Sequence, residues 1–552
     1  MNLKQVSNLD RIIFFHQWTI GAGRRLNKGS MNEQPITTSK KLIHNTVFNV
    51  VTLVSHALIG FFLIRFFLGQ LGEIRYGVWL LIAGSVFRYA AMLSMGLNSS
   101  INRYIPVYLA KNDEDGIQRV ISTSFFFFSV VSVVLAVSSV VIYWNVGSWF
   151  AIEPQLVSKA ATLVLVVGFS FAVAMPLQPS TAILSGLQRF DVINLAILIT
   201  LLVRTILLIV LLLRGWGLLT MGFVFGISEV LMRVLHFIFV RKFLSAASFS
   251  FANIDFRLLK EMLSYGINTF MYTAGAIIVY KASSVIIGIF LDTAQVSRFE
   301  IAAAGVLLLW QFLQAFTAAI KPAVSDLDAR NDQLRVKEIS FLSQKYSLLL
   351  IIPGGCFLVA MGREFLWIWV GGKFADPAVV NTMGVILAVL AVGHCLQLAQ
   401  HSNFLVLVGR GQHKIFGVLT ALTALVCVSA SVVSLKVLKW GLVGIAWSNF
   451  VPMAFVSGVI LPIYFHRKMR ISAMESIRHV WRPALLGSLP AVAMITVWKY
   501  LAPPDSWLEI VGVVIAAMAV TFVSSWFLSL KEIERKRFAD VVFRHRVAAS
   551  KP

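Results

Sequence analysis

Three basic residues, Arg88, Arg204 and Lys281, lie deep inside long apolar segments of the sequence, and none has an acidic residue within one helical turn. An ionisable group at bilayer depth costs at least about 2.5 kcal/mol on insertion scales, and such groups usually line a pathway rather than face lipid. Arginine can hold a phosphate-type anion through two parallel hydrogen bonds. These residues therefore predict an anion-binding cavity within the membrane. The alternative is that each cation pairs with helix carbonyls or with an acid on a distant helix.

The acids near these cations are few. Glu229 precedes Arg233 by four residues, which is the favourable order for an ion pair along one helix. Asp292 and Glu300 fall at the edge of a predicted outer hairpin, and residues 266–290 contain no Asp or Glu. Exporters of cationic drugs need buried carboxylates to bind their cations, so the sign of the charge argues against that class of transporter.

The segments that must position these residues are typical of a polytopic all-α membrane protein. Of 552 residues, 58% are hydrophobic and 13% are charged, whereas soluble domains have about 25% charged residues. Apolar runs long enough to cross about 30 Å of hydrocarbon recur along the chain, and they lack the short alternating segments of a β-barrel. About fourteen transmembrane helices are predicted: 44–68, 77–97, 120–144, 158–182, 192–213, 218–240, 266–290, 300–320, 346–369, 380–407, 415–435, 441–464, 483–502 and 508–529.

An internal repeat divides the chain into two halves. The stretch "FFLGQLGEIRYGV" (66–78) matches "IFLDTAQVSRFEI" (289–301) at a constant offset, with Arg75 opposite Arg298. Because each half has six spans, an even number, the two repeats are parallel. The predicted organisation is a basic tail (1–43), a six-helix lobe (44–240), an amphipathic linker (241–265), a second six-helix lobe (266–465), two additional helices (466–530) and a second basic tail (531–552).

The basic residues also predict the orientation of the chain. If the N-terminus is inside, 34 Lys and Arg residues fall in the inside segments, against nine in or beside the outside loops. By the positive-inside rule both termini are then cytoplasmic. Arg103 and Arg189 lie at the cytoplasmic mouth of the predicted cavity, where they either capture the anion first or serve only as topology signals.

Several classes of function are excluded or disfavoured. The net charge of +23 suits cationic loops and anionic phospholipid headgroups, and no soluble domain carries the array of basic and aromatic residues that would indicate nucleic acid. The three cysteines and ten histidines show no metal-ligand spacing. Neither a Walker A motif nor a GxSxG motif occurs. We therefore predict a transporter without a cofactor, not an enzyme.

Three motifs resemble a known family. "GLNSSINRYIPVYLAKND" (96–113), "LSGLQRFDVINLAIL" (184–198) and "LLKEMLSYG" followed by "VIIGIFLDTAQVSRFEIAAA" are similar in order and spacing to segments of the polysaccharide transporters. These transporters belong to the superfamily that also contains multidrug exporters. The resemblance covers about residues 42–465. Many members carry an acid early in the seventh span, where this chain has "KASSVIIG", so cation coupling through that position is not expected.

The resemblance implies a fold of two six-helix lobes around a V-shaped cavity, in the cytoplasmic (inner) membrane of a bacterium. It implies a flippase for undecaprenyl-diphosphate-linked oligosaccharide of the O-antigen, capsule or exopolysaccharide type. A polysaccharide polymerase and glycosyltransferases would be its partners. The two extra helices resemble those of fourteen-span members, including lipid II flippases.

In the predicted mechanism Arg88, Arg204 and Lys281 hold the diphosphate while the prenyl tail stays in lipid. Rocking of the lobes then exposes the site to each side of the membrane in turn. The alternatives are a lipid II flippase, a multidrug-type exporter of the same superfamily, and a scaffold for polysaccharide assembly with no transport of its own.

Overall fold

The structure, a computed structural model, describes residues 34–244, 249–318, 320–412 and 414–536, and it contains helices and no strand within them. The first half of the described chain forms seven α-helices. In chain order, α1 to α7 are Gln34–Ile82, Leu97–Ala110, Glu114–Trp149, Pro154–Ala174, Pro179–Gly186, Phe190–Leu213 and Leu218–Phe243. Two 3₁₀ helices, Val86–Ser94 and Met175–Leu177, interrupt this series.

The second half is longer and contains helices α8 to α19. They are Phe256–Phe290, Thr293–Thr317, Ile320–Ala329, Gln333–Val370, Pro377–Ala399, His401–Gly409, Lys414–Lys436, Gly441–Phe455, Leu461–Met469, Ala473–Ser476, Arg482–Leu501 and Trp507–Leu528. Short 3₁₀ helices lie at Phe251–Asn253 and Gly371–Lys373. Two π-helical turns, Val456–Ile460 and Ile477–Trp481, continue α15 into α16 and α17 into α18.

Within the described residues, thirteen segments are long and apolar enough to cross a membrane. Twelve of them coincide with single predicted spans. The first, Val51–Ser94, has 44 residues and contains both remaining predicted spans, 44–68 and 77–97. At 1.5 Å per residue a straight helix of that length would measure about 66 Å, roughly twice the thickness of the hydrocarbon core. The helix is broken at Gly72, whose φ of 75° and ψ of 167° are not helical.

Contacts show that the chain reverses direction at Gly72. On one side of the break, Asn49 accepts a hydrogen bond from the Asn194 side chain at the start of α6, at 2.6 Å. On the other side, a Cβ at Gly77 would overlap the Thr293 carbonyl at the start of α9. We call the end of the bundle that contains the turns at Gly72 and Leu291–Asp292 the hairpin end. The opposite end, which contains residues 241–265, is the linker end.

Aspartates begin many of these helices, because a carboxylate satisfies backbone N–H groups that have no partner in the first turn. Asp113 accepts from the backbone N–H of Gly116 and so caps α3. Asp255 caps α8, and Asp292 caps α9 by accepting from the N–H of Gln295 at 2.8 Å. The position of Asp292 at the edge of the hairpin is therefore explained by capping.

The linker joins the two halves through contacts with α3. The backbone N–H groups of Ser250 and Asp255 donate to the hydroxyls of Ser122 and Thr123, at 3.2 and 2.9 Å. Within the predicted linker, 241–265, α7 continues to Phe243, the 3₁₀ helix Phe251–Asn253 follows, and α8 begins at Phe256. Residues 245–248 of the linker, and the tail residues 1–33 and 537–552, lie outside the described part of the chain.

The two halves also meet at the hairpin end, along what we call the hairpin-end seam. The Arg298 guanidinium holds the Glu73 carboxylate through two bonds of 2.8 and 2.9 Å. The indole N–H of Trp369 donates to the carbonyl of Phe61 at 3.1 Å, and the two rings stack at 4.7 Å. Gly77 belongs to the same seam through its close approach to Thr293.

The two additional helices, α18 and α19, pack on α11. An ion pair secures each end of this contact. Lys345 of α11 binds Glu534 at 2.8 Å at the linker end, where both side chains are buried. Lys499 of α18 binds Glu364 of α11 towards the hairpin end. The predicted fold class is confirmed: the chain is a polytopic all-α membrane protein with two six-helix lobes and two further helices.

Candidate functional site

The first group of candidate residues comes together in the N-terminal lobe. Arg88 lies on the 3₁₀ helix Val86–Ser94 and is exposed, and Arg204 of α6 lies with its guanidinium 5.2 Å from the centre of the Phe225 ring. His56 of α1 is close enough for its charge to interact with both arginines. We call His56, Arg88 and Arg204 the N-lobe basic cluster. Three separate spans supply it, so only the tertiary fold assembles it.

The backbone that carries Arg88 is unusual. A 3₁₀ helix of nine residues is long, because runs beyond three or four residues are uncommon and often mark a hinge in a longer helix. Met95 and Gly96 follow it with φ values of 46° and 75°, and a positive φ is costly for a residue with a side chain. The second span therefore departs from α-helical geometry in the segment that carries Arg88.

The N-lobe basic cluster carries positive charge that no nearby carboxylate fully neutralises. Within the described residues, neither Arg88 nor Arg204 forms a salt bridge. The Glu229 carboxylate attracts Arg204 electrostatically, but it is already bound to Arg233 at 2.8 Å. The predicted Glu229–Arg233 pair is therefore present, and Arg233 also donates to the Thr181 hydroxyl at 2.9 Å.

Lys281 is placed differently from the two arginines. Its ammonium group binds both carboxylate oxygens of Glu300 at 2.9 Å, and the Ser284 hydroxyl also donates to that carboxylate. The sequence reading placed Glu300 at the edge of the hairpin, which is incorrect. Glu300 lies seven residues below the start of α9 at Thr293, about 10 Å into the bundle. Lys281 therefore pairs with an acid on another helix, which is the alternative that the sequence left open.

The Lys281–Glu300 pair also contacts the N-terminal lobe. The hydroxyl of Ser85, the residue before the 3₁₀ helix that carries Arg88, donates to Glu300 at 3.4 Å. A cavity of about 60 Å³ lies beside the pair and is lined by Lys281, Glu300, His394 and Asn449, among others. We call it the ion-pair cavity. A ligand in this cavity would meet a neutral pair of charges rather than a free cation.

Arg103 and Arg189 both lie at the linker end, but only one of them has a free charge. Arg189 binds Asp191 at 2.8 Å and stacks on Phe243 at 3.7 Å. Arg103 is exposed, and its contacts are with aromatic rings, Tyr265 at 4.5 Å and Tyr104 at 6.0 Å. Arg103 is therefore better able than Arg189 to bind an anion at the linker end.

Sequence reasoning missed other features of this region. His56 was not singled out, because a single histidine in an apolar helix gives no signal without its neighbours. The pairing of Arg298 with Glu73 was also missed, although the internal repeat had already drawn attention to Arg298. Among the described residues, no group of three or more His, Cys, Asp or Glu side chains could hold a metal ion.

A second and larger cavity lies inside the C-terminal lobe. It measures about 150 Å³ and is lined by α8, α9, α12 to α16 and the π-helical turn between α15 and α16. Aromatic rings and uncharged polar groups dominate its wall, and it shares Val279 and Tyr280 with the ion-pair cavity. We call it the aromatic cavity. No sequence motif predicted it, because its residues are spread from Tyr272 to Leu461.

Comparison with known sequences supports the resemblance stated above. A family model described as "Polysaccharide biosynthesis protein" matches residues 108–379. The chain is also 22% identical over 306 residues to the probable low-salt glycan biosynthesis flippase Agl15 of Haloferax volcanii. That match covers 54% of this chain and 61% of the relative.

Comparison with solved structures shows the fold. The lipid II flippase MurJ in its inward closed conformation matches with a TM-score of 0.66 and 16% identity, over 91% of this chain and 99% of that one. A multidrug resistance MATE family transporter of the MOP superfamily, in an inward-facing conformation, matches with a TM-score of 0.61 and 15% identity, over 76% and 94%. Over residues 108–379 the chain is thus similar to the polysaccharide biosynthesis protein family, and it has the two-lobe fold of these flippase and transporter structures.

Proposed function

We propose that the protein is a flippase that moves undecaprenyl-diphosphate-linked oligosaccharide, an O-antigen, capsule or exopolysaccharide unit, from the cytoplasmic to the outer leaflet of a bacterial inner membrane. The observation that carries the proposal is the N-lobe basic cluster: Arg88 and Arg204 lie within a membrane lobe without a salt bridge among the described residues. The match to the family model and the fold agree with this function. No bond is made or broken, so the protein is a transporter and not an enzyme.

Electrostatics favours a diphosphate as the group that the cluster binds. An unpaired guanidinium at bilayer depth is costly, and the cost falls when an anion replaces the missing partner. Two arginines can each form two parallel bonds with phosphate oxygens. The Nδ1 of His56 lies 3.3 Å from the Thr52 carbonyl, so the ring offers a phosphate an N–H and a positive charge only when both of its nitrogens are protonated.

The route to the cluster starts at the linker end, which the positive-inside rule makes cytoplasmic. Exposed Arg103 captures the diphosphate there, and Arg189 contributes less because Asp191 already binds it. The diphosphate then moves to Arg88 and Arg204. Lys281 joins them only if it separates from Glu300, since two carboxylate oxygens now hold its ammonium group.

The hairpin-end seam provides the other half of an alternating-access cycle. With Glu73 bound to Arg298 and Trp369 stacked on Phe61, the two lobes are held together at that end. Opening to the outer leaflet requires these contacts to separate. We propose that delivery of the substrate to the outer leaflet follows the opening of this seam.

The proposal is tested by neutralising the N-lobe basic cluster. We expect Arg88→Gln and Arg204→Gln each to lower export by roughly 10- to 100-fold, because a net charge-assisted hydrogen bond contributes about 1.5–3 kcal/mol. The double variant should export almost nothing. The measurement is surface polysaccharide and the cytoplasmic-leaflet pool of lipid-linked units in a deletion strain that expresses each variant at equal abundance.

Lys159→Gln is the matched control, because it also removes one positive charge from a helix of the N-terminal lobe but at an exposed position of α4. It should export like the parent protein. Normal export by the double variant at full abundance would refute the proposed role of the cluster. In proteoliposomes, lipid II as substrate distinguishes the alternative: a lipid II flippase would move it in preference to the oligosaccharide.

A further inference from the structure

The aromatic cavity has the wall of a site that holds a ring. Tyr272 and Phe404 stack with their ring centres 5.0 Å apart, and Phe416 meets Phe404 edge-to-face at 4.8 Å. His401 stacks on Phe404 at 6.1 Å, and Trp310 lies against His401 at 4.8 Å. A volume of about 150 Å³ is the size at which an engineered apolar cavity holds one six-membered ring.

Polar groups in the same wall lack partners. The Tyr280 hydroxyl donates to the amide oxygen of Gln397 at 2.9 Å, and Asn403 donates to the amide oxygen of Gln400 at 2.9 Å. Among the described residues, the amide NH₂ groups of these two glutamines and the indole N–H of Trp310 donate to no protein acceptor, and they remain accessible from the cavity. Donors left in this state inside a protein require an acceptor from a ligand or from water.

The wall carries no fixed charge. Its lining residues include no Asp, Glu, Lys or Arg, and His401 is its only titratable group besides the two tyrosines. A phosphate would find no cation there. An organic cation would find aromatic faces but no carboxylate, because Glu300, in the adjoining cavity, is held by Lys281. A purely apolar ligand would leave the unpaired donors unsatisfied.

The chemistry that remains is a neutral ring with an apolar face and several oxygen acceptors at its edge. A pyranose sugar has this chemistry: its C–H face packs on aromatic rings, and its hydroxyl, ether and acetamido oxygens accept hydrogen bonds. We infer that the aromatic cavity is a sugar subsite, which binds one saccharide ring of the substrate through Trp310, Tyr272 and the amides of Gln397 and Gln400. This inference rests on the proposed function.

The position of the cavity fits a substrate with two parts. It adjoins the ion-pair cavity through Val279 and Tyr280, and the Lys281–Glu300 pair there reaches Ser85 in the lobe that carries the N-lobe basic cluster. The diphosphate and the glycan of one molecule would thus be held by opposite lobes. Selectivity for the sugar then lies in the C-terminal lobe, and affinity for the lipid diphosphate lies in the N-terminal lobe.

The test compares two lipids on the full-length protein in lipid nanodiscs: the lipid-linked oligosaccharide extracted from the host, and undecaprenyl diphosphate without sugar. We expect the parent protein to bind the glycosylated lipid at least tenfold more tightly. Trp310→Leu and Gln397→Leu should reduce that preference to less than twofold while affinity for the bare lipid stays unchanged. Trp310→Phe, which keeps the ring and removes the N–H, should give an intermediate preference.

Trp216→Leu is the matched control, since this tryptophan is exposed in the turn between α6 and α7 and its loss should not alter the preference. Equal binding of both lipids by the parent protein overturns the sugar subsite. So does a loss of affinity for both lipids to the same extent in the cavity variants, with melting temperatures unchanged. If neither lipid binds the parent protein, the proposed function itself fails, and the inference falls with it.

Discussion

Replacing Glu300 with glutamine is expected to destabilise the protein by about 3–5 kcal/mol, the usual cost of removing one partner from a buried ion pair. The reason is that the Lys281 amine would stay buried with no carboxylate beside it. Only 21% of the Lys281 side chain and 11% of the Glu300 side chain are exposed, and the membrane surrounds this part of the protein. The double variant Lys281→Met/Glu300→Gln should recover most of this loss, because it leaves no unpaired charge. Unfolding in mixed detergent and SDS micelles provides the measurement.

The matched control is Glu532→Gln, which breaks an exposed i,i+4 pair with Lys536 in the described C-terminal segment. No change in unfolding is expected there, since exposed pairs contribute little. A Glu300→Gln variant as stable as the parent protein would show that the pair is not needed. Export by the stable double variant then separates two roles of Lys281. If Lys281 only neutralises Glu300, export is retained, and if it binds the diphosphate, export is lost.

The sequence was sufficient for the spans but misjudged the depth of Glu300. Apolar length and the positions of turns are local properties, so twelve of the predicted spans coincide with single observed segments. Counting residues from the turn along each of the two helices would also have paired Lys281 with Glu300. Lys281 lies nine residues before the end of α8 at Phe290, and Glu300 lies seven residues after Thr293. Two residues at nearly equal distances from an antiparallel turn lie at similar depths.

Other parts of the site could not be predicted from local patterns. The convergence of His56, Arg88 and Arg204 depends on how three spans rotate about their axes, and no spacing in one helix encodes that rotation. The aromatic cavity is assembled from segments almost 190 residues apart. In the sequence its aromatic residues cannot be distinguished from ordinary lipid-facing or core residues, because only the tertiary fold brings them together. The roles of Arg88, Arg204, Lys281, Arg103 and Arg189 in substrate binding remain predictions.

The irregular second span connects these sites. Ser85, just before the 3₁₀ helix, contacts Glu300 of the other lobe, and Arg88 follows three residues later. At the linker end of the same span, a Cβ at Gly96 would overlap the backbone of Gly266, where α8 enters the membrane. At the hairpin end, Gly77 lies equally close to Thr293. Any movement of one lobe on the other therefore has to change contacts along this span.

Gly77→Ala is expected to prevent full closure of the hairpin-end seam, because the added methyl group would overlap the backbone carbonyl of Thr293, which no side-chain rotation can relieve. Overpacking of this kind costs about 1–3 kcal/mol, which shifts the ratio of closed to open molecules by roughly 5- to 150-fold. Export should fall strongly because the open state would no longer reset. The strain acts only when the lobes meet, so the helix itself should fold normally.

The measurement is the distance between spin labels at positions 149 and 367, two exposed tryptophan sites at the hairpin end of opposite lobes, in a variant without the three native cysteines. We expect Gly77→Ala to lengthen and broaden this distance. Gly60→Ala is the matched control, because the same helix offers open space around a Cβ at that position, and it should leave both distance and export unchanged. An unaltered distance in Gly77→Ala would mean that the lobes do not need this contact to close, and the seam would then lose its place in the transport cycle.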